Sequence, residues 1–365
     1  MVHSDGAPFG ASDLFNLIIM FGVLVPPALY VNALLSACDA GSASTSEATS
    51  PLVFSVLSDL SAHAWPPSDA MCELYVHHPL GFLNVAYFVV VDVGFYAIYL
   101  AQGSTWLIDP HWQLIPMAIA CFYYSHPAVM GWGGGHGGGQ QRPRAVLALA
   151  LVFLWGARLL HNYFRREGWR VGRQEDWRYA DMRRAHGAWW AVSQFFAVSL
   201  AQHGMLVGLT LPLRTAMSGF HGSGPTPAIG LWDAVAAALC LGGVATGWAA
   251  DNQLRRYMLL GAKKPAVLDR GLWALCRHPN HLGEQMWWAG LLVLGVAGAR
   301  TWRQGLWPGA LGVLYNHPLD TLVTLPLIEA RMARRPERRE AFRAYQARTG
   351  LLLPWWPAPP APKEA

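Results

Sequence analysis

Eight apolar runs, each close to the length of a membrane-crossing helix, constrain this chain more than any other feature of its sequence. A helix needs about 20 apolar residues to cross a bilayer. The composition agrees, because 53% of the 365 residues are hydrophobic and only 13% are charged, whereas soluble domains carry about a quarter charged residues. We therefore predict an all-α fold, a polytopic membrane helix bundle of about 7–8 transmembrane helices. The runs are residues 13–36, 82–102, 113–132, 146–164, 187–212, 229–250, 281–299 and 306–328.

Two of these runs contain residues that disfavour a regular helix. The run 113–132 meets the sequence SHPAVMGWGGG, which predicts an early helix end. The run 306–328 is interrupted by Asn316, His317, Pro318 and Asp320. Ahead of the first run, the segment MVHSDGAPFGASD lacks the basic region of a cleaved signal peptide. We therefore expect the first run to be retained as a membrane span.

The basic residues predict how the chain is oriented in the membrane. The segments 165–184, 252–278 and 330–350 contain seven, six and seven of the 27 Lys and Arg residues. Cytoplasmic loops near membrane spans are enriched in these residues. With eight spans and a cytoplasmic N-terminus, all three segments fall on the cytoplasmic side. We expect a multi-pass protein of the endoplasmic reticulum or another endomembrane, with membrane lipids as partners and without a nucleic-acid motif.

The loop 37–81 then lies on the opposite, lumenal side. It contains Cys38 and Cys72, which could pair if that side is oxidising; the alternative is two free thiols in a loose loop. The glycine-rich segment 131–141 is interpreted as a flexible linker. The five cysteines lack a metal-binding spacing and His136 stands alone, so no metal site is predicted.

The stretch Arg277–Glu284 joins a polar start to an apolar run. Pro279 suits the first turn of a helix, and the free N–H groups of that turn, with Arg277, favour an anion. Asn280 and Glu284 share one helix face, and Gly283 between them would leave room for a ligand near the backbone. A carboxylate inside a membrane span is costly and usually functional. An anionic nucleotide site is the preferred interpretation, and a lipid-phosphate contact with a locally paired Glu284 is the alternative.

A second polar group lies in residues 155–183. Arg158, His161, Asn162 and Arg165 form one helical stripe that runs out of the membrane. Arg158 is deep enough to need a partner or an anionic ligand, whereas Arg165 could reach the interface. A polar loop is expected to follow, with either a binding role or local salt bridges. Its residues are Glu175, Asp176, Arg178, Tyr179 and Asp181.

Asp251 ends the sixth apolar run and is the third candidate. Asp251 and Arg255 are four residues apart, so a structural salt bridge is one interpretation. The other is that Asp251 accepts hydrogen bonds from the ribose or carboxamide of a nucleotide.

Taken in order, these blocks resemble the steroid 5-alpha-reductase C-terminal-domain superfamily, and most closely its large membrane branch. The similar pieces lie within residues 145–357 and include WGARL, EDWRYADMR, LPL, DNQL, GLWALCRHPNHLGEQMWW and the tail from Tyr345 to TGLLLPWWP. The earlier segment STWLIDPHWQLIP also looks like that branch.

This resemblance implies an integral-membrane reductase with NADPH bound among its last helices, near the cytosolic face. Such an enzyme passes hydride to a C=C bond conjugated to a carbonyl, here in a lipid or steroid-like substrate. The chain would be an NAD(P)H-dependent oxidoreductase acting on CH–CH groups, with a role in lipid metabolism. The cofactor-binding candidates are Arg158, Asn162, Arg178, Tyr179, Asp251, Arg255, Arg277, His278, Asn280 and Glu284.

The residues expected to contact the substrate match the resembled family less well than the cofactor-binding candidates do. His281 stands where that family usually has Tyr. The family's catalytic Glu and Tyr have no clear counterpart, so the catalytic residues stay unassigned. The residues considered for that role are Trp155, Tyr163, Tyr179, Asp109 and Glu167.

Two alternatives remain open. Isoprenylcysteine methyltransferases also begin a helix with R-H-P-x-Y-x-G, there for S-adenosylmethionine, but they usually lack the Glu after that Gly. A non-enzymatic lipid-binding or scaffold membrane protein with the same fold is the third possibility. We divide the chain into an N-terminal transmembrane region, a steroid-reductase-like membrane domain and a short tail, at residues 1–144, 145–357 and 358–365.

Overall fold

The computed structural model describes residues 10–38, 67–126, 129, 138–166, 168–217 and 227–353. These residues form helices and turns, and no β-strand occurs among them. The all-α prediction is confirmed to this extent. The predicted tail 358–365, Glu167 and His136 lie outside the described residues.

The described chain contains sixteen α-helices, which we number in chain order. They are α1 (Ala11–Gly22), α2 (Val25–Cys38), α3 (Asp69–His77), α4 (Pro79–Tyr87), α5 (Gly94–Gln102), α6 (Ile108–Ser125), α7 (Gly138–Phe164), α8 (Trp177–His186), α9 (Trp190–Gln194), α10 (Ala201–Ala216), α11 (Leu231–Met258), α12 (Leu272–Leu275), α13 (Pro279–Gly298), α14 (Trp302–Leu319), α15 (Leu325–Ala333) and α16 (Pro336–Arg348).

Five helical segments are long and apolar enough to cross a membrane. They are residues 11–35, 79–102, 143–164, 177–216 and 231–258. The other three apolar runs of the sequence are also helical, in α6, α13 and α14, but they are not among these five. The chain is therefore a helical protein with five candidate membrane spans, and the larger count of about 7–8 stays a prediction.

Three π-helical segments join α-helices without a break: Phe88–Val93, Phe195–Leu200 and Asp320–Thr324. The third π segment follows Pro318. The interruption predicted for the run 306–328 is therefore a widened helical turn, and the helix does not break there. The other apolar run with an expected irregularity ends at Ser125, and its early end is confirmed.

The first π segment contacts α10 through a hydrogen bond between Asp92 and His203. Nδ1 of His203 lies 2.6 Å from the Asp92 carboxylate, and Nε2 lies 3.0 Å from the Asn84 amide oxygen. Asp92 is fully buried and Tyr87 stacks on the His203 ring at 4.3 Å. Oδ2 of Asp92 and both ring nitrogens of His203 have partners in this group, whereas Oδ1 of Asp92 and the Tyr87 hydroxyl have no hydrogen-bond partner among the described residues.

Helices α11 and α13 pack closely where glycines of the two helices face each other. A Cβ on Gly283 would lie 2.6 Å from the Gly243 carbonyl oxygen and 2.7 Å from the Gly247 nitrogen. The expectation that Gly283 leaves space for a ligand is wrong, because the backbone of α11 fills that space. The core around this crossing is built from indole rings, with Trp155 stacked on Trp287 at 4.5 Å.

Cys38 and Cys72 form a disulfide, with their Cα atoms 5.3 Å apart. Of the two alternatives, the structure therefore has the pair rather than the free thiols. His126 at the C-terminal end of α6 contacts the Tyr75 carbonyl oxygen at 2.9 Å, which places the disulfide near that end of α6.

The three basic segments meet at the other end of the bundle. Arg165 hydrogen-bonds Asn252, and Arg331 lies 3.5 Å from Asp181 and 4.3 Å from the Trp177 ring. The start of α6 lies at the same end, since Asp109 bonds Arg166. The arrangement of the basic segments at one end agrees with the topology drawn from the sequence.

Two expected loops contain helix instead. Helix α7 begins at Gly138 and so takes the last residues of the linker 131–141, of which 131–137 lie outside the described chain. The expected polar loop after Asp176 is helix α8, because the Asp176 side chain caps it by accepting from the Arg178 N–H at 2.8 Å. The local salt bridges expected there do form, between Arg178 and Asp176 among others.

One apolar core extends across the described chain. It joins Met20 and Tyr75 to Trp155, Trp287 and Leu294. The predicted division after residue 144 falls inside α7, and it stays a prediction.

Candidate active site

A cavity of about 450 Å³ opens at the basic end of the bundle. Its walls come from α6, α7, α8, the second π segment with α10, α13, and the α14–α15 region. Four of the ten predicted site residues line it: Asn162, Arg178, Tyr179 and Glu284. A cavity between helices with a few convergent polar groups is a typical small-molecule site.

Helix α13 supplies one wall, and its start follows the sequence expectation. His278 before Pro279 has φ −135° and ψ 61°, outside the helical region, so the helix begins at Pro279 as predicted. The helical spacing then places His281, Glu284, Gln285 and Trp288 along one face, where they line the cavity.

Glu284 is held in place by two donors. Nε1 of Trp155 donates to Oε2 of Glu284 at 2.9 Å, and Arg158 donates to Oε1. Only 23% of the Glu284 side chain is exposed, and that part faces the cavity. The carboxylate therefore keeps acceptor capacity toward a ligand while its orientation is fixed from behind.

Arg158 lies behind Glu284 and also binds Asp251, at 3.1 Å. It passes over the backbone of Gly247, where a Cβ would lie 2.3 Å from its Nη1 atom. One guanidinium thus donates hydrogen bonds to two carboxyl groups. Such a group favours a ligand that offers hydrogen-bond donors.

The partner of Asp251 corrects one sequence interpretation. Asp251 pairs with Arg158 and not with Arg255, which is exposed. The i, i+4 spacing permitted the Arg255 pair, but the arginine on α7 reaches the buried side of Asp251. Arg255 therefore lies apart from the cavity, whereas Arg158 and Asp251 support it from behind.

The opposite wall carries two more ion pairs and a tyrosine. Arg166 bonds Asp109 at 3.3 Å, Arg178 bonds Asp176 at 2.6 Å, and Gln202 donates to the Tyr179 hydroxyl at 3.1 Å. Burial raises the pKa of Asp109 to about 6 despite the charge of Arg166. Half of the Arg166 side chain is exposed, so this guanidinium remains accessible to an anion.

A pair that the sequence analysis did not single out lies on the α13 side. Nδ1 of His281 lies 3.0 Å from Oδ1 of Asp320, and Nε2 of Gln285 donates to Oδ2 of Asp320 at 2.8 Å. All three residues line the cavity. The sequence marked His281 as a departure from the resembled family and Asp320 as a helix interruption, but nothing in the spacing indicated that they meet.

Arg277 and His278 form a separate cluster with the C-terminal helices. Arg277 donates to Glu329 at 2.6 Å and to the Thr349 carbonyl oxygen, and His278 lies 3.2 Å from Glu329. Burial alone would raise the pKa of Glu329, but the hydrogen bonds from His278 and Arg277 and the charge of Arg277 lower it to about 2. Neither Arg277 nor His278 lines the cavity.

The remaining candidates can now be placed. Asn280 lies one helical turn before Glu284, and its buried Oδ1 atom has no hydrogen-bond partner among the described residues. Asp109 and Tyr163, considered for the substrate side, line the cavity, while Trp155 lies behind Glu284.

The sequence analysis did not identify Arg166 as a site residue, because Arg166 follows the end of α7 and so falls outside the helical stripe. Within the described residues, no group of His, Cys, Asp and Glu side chains could hold a metal ion.

A family model described as "Protein of unknown function (DUF1295)" matches residues 95–349, more than half of the chain. The chain belongs to this family. The DUF1295 region includes the cavity-lining helices from α6 to α15. This chain is similar to an uncharacterized protein of Schizosaccharomyces pombe, 25% identical over 275 residues, or 69% of this chain and 73% of that relative. No solved structure matches the chain.

Proposed function

We propose that this protein is an integral-membrane, NADPH-dependent reductase of a C=C bond conjugated to a carbonyl in a lipophilic substrate. The observation that carries the proposal is the Glu284 carboxylate, fixed by Trp155 and Arg158 and facing a cavity at the basic end of an apolar helix bundle. The motifs that resemble steroid 5-alpha-reductases include Arg158, Asp251 and Glu284, and these three side chains form one bonded group.

The residues present fit a nicotinamide nucleotide. The cavity-facing oxygens of Glu284 are acceptors suited to the N–H₂ group of a carboxamide, and the unpartnered Oδ1 of Asn280, which does not line the cavity, lies one helical turn away. Neither Arg158 nor Arg277 lines the cavity. Phosphate binding would therefore fall to Arg166 and Arg178, which line the cavity.

When bound, a reduced nicotinamide supplies the hydride that saturates the β-carbon of the substrate. The protein holds both partners at the membrane edge, where a water-soluble nucleotide and a membrane-soluble acceptor can meet. Leu159, Met205 and Trp288 give the cavity an apolar lining for the acceptor.

The orientation of the site is part of the proposal. A disulfide forms and persists on an oxidising side of a membrane, and Cys38–Cys72 lies away from the cavity end. The basic segments at the cavity end agree with a cytosolic location. We infer an endomembrane such as the endoplasmic reticulum, with the cofactor site facing the cytosol.

NADPH consumption by the purified protein in detergent tests the proposed reaction. The acceptors would be progesterone, a cyclic enone, and a long-chain aliphatic enone. We expect NADPH absorbance to fall when an enone is added. The Glu284→Gln variant should show a slower fall, and the control variant Glu340→Gln, at an exposed position of α16, should behave as wild type. Methyl transfer from S-adenosylmethionine without any NADPH consumption would contradict the proposal.

A further inference from the structure

We propose that His281 and Asp320 form the acid–base pair of this site, in which Nε2 of His281 gives the proton that completes reduction of the substrate. This inference rests on the proposed reductase function and adds a residue role to it. Reduction of a conjugated C=C bond needs one hydride and one proton, so the cavity must contain a proton donor besides the cofactor.

The geometry shows which nitrogen of His281 is paired with a carboxylate and which is not. Both oxygens of Asp320 lie within 3.1 Å of Nδ1, and Gln285 donates to one of them at 2.8 Å. A carboxylate that accepts from two donors holds the imidazole with its proton on Nδ1. Nε2 is then the atom left for chemistry, and 24% of the His281 side chain is exposed at the cavity.

A second observation also points to a ligand beside this pair. Gln285 is buried, with 7% of its surface exposed, and it lines the cavity. Its amide nitrogen binds Asp320, while its Oε1 atom has no hydrogen-bond partner among the described residues. A buried acceptor without a partner costs free energy unless a bound molecule satisfies it.

The other charged and titratable groups around His281 come from several elements. His278 lies at the start of the same helix with its ring 5.8 Å away, and it is occupied by Glu329. Glu284 is on the same helix and is held by Arg158, and Asp251 belongs to α11. Across the cavity lie the two bonded pairs Asp109–Arg166 and Asp176–Arg178. His281 differs from all of these groups in lining the cavity with one ring nitrogen paired to a carboxylate and the other not.

The step balances in atoms and electrons. Hydride from the dihydronicotinamide forms a C–H bond at the β-carbon, and the electron pair of the C=C bond moves toward the carbonyl. The proton on Nε2 of His281 then joins the α-carbon, which leaves a neutral imidazole with its Nδ1 proton held by Asp320. Water returns the proton to Nε2 before the next turnover.

His281→Asn tests the role while keeping the local structure. Its amide N–H₂ can replace Nδ1 as donor to Asp320, but it has nothing in place of Nε2. We expect unchanged NADPH affinity and a loss of turnover of about 100-fold or more, in the range for removal of a general acid. The matched control is His77→Asn, an exposed residue on α3 at the disulfide end, which should behave as wild type.

The pH profile separates proton transfer from a structural effect. A general acid makes kcat fall at high pH, and this fall should disappear in His281→Asn. A variant that binds NADPH normally and keeps both its turnover and its pH profile would overturn the assignment.

Covalent labelling with diethyl pyrocarbonate gives a readout that needs no turnover. Peptide mass spectrometry should show His281 modified at the cavity and protected by progesterone without NADPH, while buried His278 reacts slowly in both samples. Unprotected His281 would overturn its place beside the substrate. Absence of NADPH binding by the wild-type protein would instead refute the reductase proposal, so the two failures are distinguishable.

Discussion

Glu284 shows how a single carboxylate can be made useful inside an apolar helix bundle. The free-energy cost of burying the Glu284 carboxylate among apolar helices is offset by hydrogen bonds from the indole N–H of Trp155 and the guanidinium of Arg158. These donors come from α7, so the carboxylate of α13 is fixed by a neighbouring helix rather than by its own. The remaining acceptor capacity is directed into the cavity.

Glu284→Gln should weaken NADPH binding, because the neutral amide is a poorer acceptor and loses the charge that Arg158 stabilises. A hydrogen bond to a charged group contributes about 1.5–3 kcal/mol, which corresponds to a roughly 10- to 150-fold rise in Kd. Ligand-dependent thermal stability of wild type, Glu284→Gln and the exposed-site control Glu340→Gln gives the Kd values. Unchanged affinity in Glu284→Gln would remove this residue from the site.

Glu329→Gln should destabilise the protein near neutral pH, because it breaks the buried cluster with Arg277 and His278. Losing one partner of a buried pair costs about 3–5 kcal/mol. The pKa of Glu329 is lowered from 4.5 to about 2, so its stabilising effect is complete above pH 4.5 and is lost as the pH falls toward about 2.

Thermal unfolding of wild type and Glu329→Gln over this acidic range measures that effect. We expect the difference in Tm to narrow steadily below pH 4.5. A constant difference would mean that the carboxylate charge of Glu329 does not stabilise the fold.

Arg277→Ala should lower the Tm as well. Its effects on NADPH and NADH binding should be equal, because Arg277 is bonded to Glu329.

Sequence reasoning reached the residues of this site unevenly. Local rules placed the start of α13 and the shared face of Asn280 and Glu284, because these depend on helix geometry alone. They offered Arg255 as one possible partner of Asp251, because spacing along one helix shows only neighbours on that helix. The pairs Arg158–Asp251 and His281–Asp320 join different helices, and no periodicity in one segment contains that information.

At the scale of helices, the crossing of α11 and α13 depends on glycine. Gly283→Ala should destabilise the protein by about 1–3 kcal/mol, the usual cost of overpacking, because the added Cβ meets backbone atoms of Gly243 and Gly247. Spreading the two helices would also separate Glu284 from Arg158, so NADPH binding should weaken together with stability.

Gly204→Ala on α10 is the matched control for this substitution. No atom lies within 4 Å of the Cβ that it would add, and alanine favours a helix over glycine by roughly 0.5–1 kcal/mol. Thermal unfolding of the two variants should therefore shift in opposite directions. A Gly283→Ala protein as stable as wild type would show that the helices are less closely packed than described.

Element boundaries show the limits of apolar patterning. The apolar runs of the sequence predicted the helices but did not indicate the π segments. A π segment adds one residue to a helical turn, and this does not change how apolar the run is. The runs also missed α8, whose residues are too polar to form an apolar run although Asp176 supplies a cap. Capping and side-chain contacts decide such elements, and these are weak signals in a single sequence.

At the scale of the whole molecule, the chain has two chemically different ends. The Cys38–Cys72 disulfide lies at one end, and the cavity with the three basic segments lies at the other. The sequence analysis placed the three basic segments on one side of the membrane, and the structure brings them to one end of the bundle. The pairing of the cysteines needed the structure, because the loop between them allowed both a disulfide and free thiols.

Alkylation followed by mass spectrometry tests the disulfide end. Cys38 and Cys72 should resist a maleimide before reduction and react after it, whereas Cys38→Ser should leave Cys72 reactive without reductant. The reduced wild-type protein serves as the fully reactive reference for both cysteines. Free reaction of Cys38 and Cys72 in the untreated wild-type protein would contradict the disulfide and the oxidising location inferred from it.

The most direct test of the account is cofactor binding by the purified, detergent-solubilised protein. NADPH, NADH and S-adenosylmethionine would be titrated separately while thermal stability is followed, since a ligand at 100 times its Kd stabilises the folded state by about 2.7 kcal/mol. Selective stabilisation by NADPH is the predicted result. Stabilisation by S-adenosylmethionine alone, or by none of the three, would contradict the assignment of this cavity to a reductase.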